Sequence, residues 1–168
     1  MESPEASYLY TLALLGITFM GFAAIVMLLR QTLGGQVRAF DVLFARVYME
    51  FAVIVITGAM LPPLLMFWGL PTGAVWRLSS GLVGVPLLGI ALSYPARRRA
   101  TTGEPTPRYV RVNVTIILLI SLTLLIAATG MLHERSGPAF LVALTAFLTF
   151  VLVAWLRALS IILVPEAH

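Results

Sequence analysis

The 168-residue sequence contains no cysteine, no lysine, one aspartate and two histidines. Without cysteine there is no disulfide, no thiolate metal site and no cysteine nucleophile. His133 and His168 fall on opposite sides of the membrane in the topology derived below, so they cannot form a bis-histidine haem or zinc pair. Asp41 is the only aspartate, which rules out an aspartate dyad. "RLSSG" at 77–81 lacks the glycine framing of a nucleophile elbow. No other acid–base set converges in the pattern. The sequence therefore predicts no enzyme, no metal site and no cofactor.

Charge of either sign is also scarce. Only 11% of residues are charged, against about 25% in an ordinary soluble domain. Hydrophobic residues make up 60% and the mean hydropathy is +1.00, which predicts an integral membrane protein. All the basic residues are arginines, and alanine, glycine and proline are abundant. That usage suggests a GC-rich bacterial genome, and hence the bacterial inner membrane as the location.

Five apolar segments are present, at about 8–30, 40–70, 75–95, 109–133 and 138–164. Each is long enough to cross a hydrocarbon core of roughly 30 Å, which takes about 20 helical residues. An apolar run in lipid must satisfy its own backbone polar groups, so these segments read as helices. The alternation of a membrane β-barrel is absent. The expected architecture is one all-α domain over 1–168, a bundle of five transmembrane helices with short loops. The punctuation agrees: "GGQ" at 34–36, "GLPTG" at 69–73, "RRRATTGEPTPR" at 97–108 as an irregular loop, and "RSGP" at 135–138.

Arginine sets the orientation. Arg30, Arg38, Arg46, Arg97, Arg98, Arg99, Arg108 and Arg111 fall in the first and third loops or beside them; the other face has Arg77 and Arg135. The positive-inside rule then puts the N-terminus outside and the C-terminus in the cytoplasm. A cleaved signal peptide is disfavoured, since the residues before Tyr8 carry acids instead of a basic region. Arg157 falls about 22 residues into the fifth span, at the inner interface, where it can snorkel to phosphate. The apolar "ALSIILV" at 158–164 continues past it and can lie on the membrane surface, extend a tilted helix or pack on a partner.

Three charges, Asp41, Arg46 and Glu50, open the second span. Asp41 can reach Arg38 at three residues' spacing, and Arg46 shares a helix face with Glu50 at four. Glu50 lies about 5 Å below the apolar edge at 1.5 Å per residue. Either Arg46 and Glu50 form an interfacial ion pair, or Glu50, with Arg46 or Arg157, lines a cytoplasmic vestibule.

Pro62 and Pro63 in the second span and Pro86 in the third remove amides and can kink or break their helices. Ser80 and Gly84, then Gly89 and Ser93, provide small residues at four-residue spacing for close helix contact, within a protomer or between protomers. Arg97, Arg98, Arg99, Arg108 and Arg111 form a cytoplasmic basic cluster suited to anionic lipid headgroups, and a loop so close to the bilayer is unsuited to nucleic acid. The pattern favours the first of two functions and keeps the second as its alternative. One is a homo-oligomeric channel or pore-type transport protein for ions or small solutes, with several protomers around an axis. The other is a non-catalytic accessory or scaffold subunit of a larger membrane complex.

Overall fold

The computed structural model describes residues 4–32, 39–103 and 106–163. The chain forms five α-helices: α1 (Pro4–Thr32), α2 (Ala39–Phe67), α3 (Thr72–Thr102), α4 (Arg108–Ala128) and α5 (Ser136–Leu163). A 3₁₀ turn (His133–Arg135) precedes α5. No strand occurs among the described residues. Each α-helix contains a stretch long and apolar enough to cross a membrane. The "GGQ" punctuation at 34–36 and the Arg38–Asp41 pair fall outside the described residues and side chains, as do the side chains of 158–164.

Prolines and glycines set the ends of the elements. Pro71 and Pro107 stand just before α3 and α4, where a missing amide costs nothing. α2 closes in a Schellman motif: the Gly69 amide donates to the Met66 carbonyl and the Leu70 amide to Leu65, with Gly69 at φ 77°. α4 stops at Ala128, short of the expected 133, because Gly130 turns left-handed at φ 79°. A Cβ at Gly130 would also lie 2.5 Å from the Arg77 guanidinium.

The expected irregular loop at 97–108 is corrected. α3 continues to Thr102, so Arg97, Arg98 and Arg99 are helical, and the left-handed Gly103 (φ 70°) caps the helix by donating its amide to the Arg99 carbonyl. Thr101 and Thr102 return their hydroxyls to the Arg97 and Arg98 carbonyls, which suits a helix end. The prolines do not break their helices either. α2 runs through Pro62 and Pro63, and α3 through Pro86 and Pro95, since the ring-fixed φ of proline is itself helical.

Successive helices pack on one another, and α5 lies across α2, α3 and the edge of α1. α3 is the most enclosed helix and α1 the least. From α5, Phe140, Leu144, Phe147 and Val151 fill the centre at alternating spacings of four and three, one helix face. They meet Val55 and Ala59 of α2, Val83 and Leu87 of α3, and Leu124 of α4. Phe51 stands edge-on to Phe147 at 5.2 Å, and Phe19 of α1 edge-on to Trp155 at 5.4 Å.

Small residues let the helix axes approach. A Cβ on Gly58 of α2 would lie 2.8 Å from Val83, and one on Gly84 of α3 would lie 3.1 Å from the Leu124 Cβ. At that second crossing Ser121 of α4 donates a buried hydrogen bond of 2.8 Å to the Gly84 carbonyl. Tyr8 of α1 and Thr145 of α5 share a hydroxyl–hydroxyl bond of 2.7 Å. The arrangement gathers the starts of α2 and α4 and the ends of α3 and α5 at one end of the bundle, here called the arginine-rich end.

Candidate functional site

Two features occupy the arginine-rich end, on opposite faces of α2 and on adjacent faces of α3. The first is an ion cluster around Glu50. Arg46 lies one turn before it on α2 and donates through Nε to Oε1 at 3.2 Å. Arg97, near the end of α3, donates through Nη1 to Oε2 at 2.9 Å and to Oε1 at 3.1 Å. Both carboxylate oxygens are thus engaged, and the Arg97 contact ties α2 to α3. The cluster borders an open groove of about 770 Å³, whose other walls include Met27, Val53 and Ile90.

The second feature is a half-enclosed cavity of about 610 Å³ between α2, α3, α4 and α5. Phe51, Ile90, Ile117 and Phe150 line it towards the middle of the bundle. Tyr94, Arg98, Tyr109, Asn113 and Arg157 line it towards the arginine-rich end. Arg98 is buried, at 6% exposure, and lies one turn from Tyr94 on α3. Neighbouring residues on a helix point about 100° apart, so α3 sends Arg97 to the groove and Arg98 to the cavity.

The expected vestibule set is therefore divided. Glu50 and Arg46 stay together, whereas Arg157 joins Arg98 on the cavity wall. Arg97, which the sequence pattern assigned to lipid contact, is the principal partner of Glu50. Arg99, Arg108 and Arg111 are exposed. The small-residue set also separates. Ser80 and Gly84 are buried, and Gly84 meets α4, but a Cβ on Gly89 would meet nothing within 4 Å. Ser93 is half-buried and returns its hydroxyl to the Ile90 carbonyl. Pro62 is buried, Pro63 half-buried and Pro86 exposed.

Among the described residues no three His, Cys, Asp or Glu side chains come together in a way that could hold a metal ion. Sequence reasoning missed Ser121, whose interhelical bond has no local signature, and the Glu50–Arg97 pair, whose members are 47 residues apart. No protein-family model, curated protein or solved structure matches this chain.

Proposed function

We propose that the chain is a multi-pass protein of the bacterial cytoplasmic membrane, N-terminus outside and C-terminus inside. In this reading it serves as a non-catalytic accessory or scaffold subunit of a larger membrane complex. The five long apolar helices and the one-sided arginines support the placement. Exposed Arg99, Arg108 and Arg111 then meet anionic headgroups, at roughly 1 kcal/mol per charge.

The preference over a conducting role comes from one observation: both oxygens of Glu50 are held by arginines. A carboxylate so neutralised fastens helices and offers little field to a passing ion. The polar groups described on the outward faces include Thr18, Thr57 and Thr123, and each returns its hydroxyl to a carbonyl of its own helix. Leu14, Ile17 and Ile25 of α1 and Leu82, Val85 and Leu92 of α3 are exposed and suited to lipid or to another apolar helix.

A homo-oligomeric channel is the second reading, and the open groove favours it. Protomers arranged with that groove inward would turn Arg46, whose side chain is 74% exposed, towards a lumen. Ion flux in proteoliposomes separates the two. The accessory reading expects the leak of empty vesicles from both wild type and Glu50→Gln. Wild-type flux whose ion selectivity changes in Glu50→Gln would replace it with the channel.

A further inference from the structure

The cavity between α2, α3, α4 and α5 grades from apolar to cationic along its length, and the gradient is carried by α3, α4 and α5. On α3, Ile90 and Arg98 are eight residues apart, about 12 Å along the axis at 1.5 Å per residue. On α4 the same interval separates Ile117 from Tyr109, with Asn113 between them. On α5, Phe150 and Arg157 are seven residues apart, about 10 Å. α2 stays mainly apolar, with Phe44 and Val47 nearer the charged end than Phe51 and Tyr48 its one hydroxyl. The cavity therefore has an aromatic and aliphatic floor and, about 10–12 Å away, a polar end with two guanidinium groups.

Among the described residues none that lines the cavity is acidic. Arg98 is buried in the wall, and Arg157, which is exposed, lines the same cavity. Guanidinium groups present planar donors that match phosphate oxygens. At about 610 Å³ the cavity is within the roughly 300–1,000 Å³ typical of sites that enclose small ligands. A molecule that satisfies both ends carries an anionic head and a hydrocarbon tail.

We propose that this cavity binds one anionic phospholipid from the surrounding bilayer. Its phosphate sits between Arg98 and Arg157, with Tyr94, Tyr109 and Asn113 available as further donors. The first part of an acyl chain lies on Phe51, Ile117 and Phe150. Such a lipid differs from the headgroups met by exposed arginines, because its chain enters the bundle between α2, α3, α4 and α5. It fills the space among these helices and would travel with the protein through purification. The inference rests on the membrane-embedded reading above, and the test keeps the two apart.

The test uses the full chain reconstituted in nanodiscs of mixed phosphatidylglycerol and phosphatidylcholine, then released and examined by native mass spectrometry. Recovery in the nanodisc fraction reports membrane embedding, and the mass of retained lipid reports the cavity. Wild type is expected to keep one phosphatidylglycerol in preference to phosphatidylcholine. Arg98→Gln is expected to lower that retention about tenfold, the scale of one lost charge-assisted hydrogen bond. Arg157→Gln, at an exposed position that does not endanger folding, is expected to lower it less. Val153→Trp, on a partly exposed stretch of the wall, is expected to exclude the chain and so reduce retention of both lipids. Arg135→Gln, exposed at the opposite end of the bundle, should retain lipid as wild type does.

Equal retention of the two lipids by embedded wild type would overturn the proposal. So would retention unchanged in both Arg157→Gln and Val153→Trp, even if Arg98→Gln fails to fold. Thermal protection by inorganic phosphate equal to that by phosphatidylglycerol would also overturn it, since the acyl chain would then contribute nothing. A chain that never enters the nanodisc fraction would instead refute the membrane-embedded reading and, with it, this proposal.

Discussion

Removing the charge of Glu50 tests whether its cluster fastens α2 to α3. The Glu50 side chain is 27% exposed and that of Arg97 38%, so the contact between them is only partly screened. A hydrogen bond to a charged group contributes about 1.5–3 kcal/mol net when well buried; half-exposure brings this to about 1–1.5 kcal/mol. The Arg46 contact is weaker. Arg46 is 74% exposed, and an i,i+4 pair with the cation first is the less favourable order, so about 0.3 kcal/mol is expected. Glu50→Gln keeps one acceptor oxygen and should cost about 1 kcal/mol, or about 2–4 °C in Tm for a chain of this size. Reversible unfolding in mixed micelles, run as double-mutant cycles, separates the partners. The Glu50–Arg97 coupling should exceed the Glu50–Arg46 coupling about three- to fivefold, the ratio of the two estimates. Equal couplings, or a Glu50→Gln variant as stable as wild type, would refute the fastening role.

The helix crossings give further predictions. Ser121→Ala removes the buried bond to the Gly84 carbonyl and should destabilise by about 0.6 kcal/mol, the usual scale for such bonds between membrane helices; an unfolding curve that overlays wild type would contradict it. Gly84→Leu forces bulk against Leu124 and Leu125, which already lie within 3.2 Å of a built Cβ, and should cost about 1–3 kcal/mol. Gly89→Ala, with nothing within 4 Å, should be neutral or stabilising by about 0.5–1 kcal/mol in the same assay, because alanine holds a helix better.

The five helices were legible because an apolar run near 20 residues long has few alternatives to a helix. Their ends were less so. Hydropathy fades at Tyr94, but α3 ends where Gly103 turns left-handed, so its three arginines are on a helix rather than in a loop. For α4 the reverse holds: the apolar run outlasts the helix, which Gly130 ends. The i,i+4 pair of Arg46 and Glu50 could be read locally, whereas the partner that matters more is 47 residues away. The small-residue set could have been divided from sequence alone. Gly84 and Gly89 are five residues apart, about 140° around the helix, so one face could not hold both. The cavity was out of reach, because it exists only where Arg98 and Arg157, from two helices, are brought to one wall.

Whether this bundle spans the membrane with its arginine-rich end in the cytoplasm can be measured directly, because the sequence is free of cysteine. Single cysteines at Gly73 and Thr101, both exposed and at opposite ends of α3, would be probed in spheroplasts with a membrane-impermeant maleimide. The account predicts that Gly73→Cys reacts in intact spheroplasts and Thr101→Cys only after permeabilisation. Labelling of Thr101→Cys from outside, with Gly73→Cys protected, would contradict it.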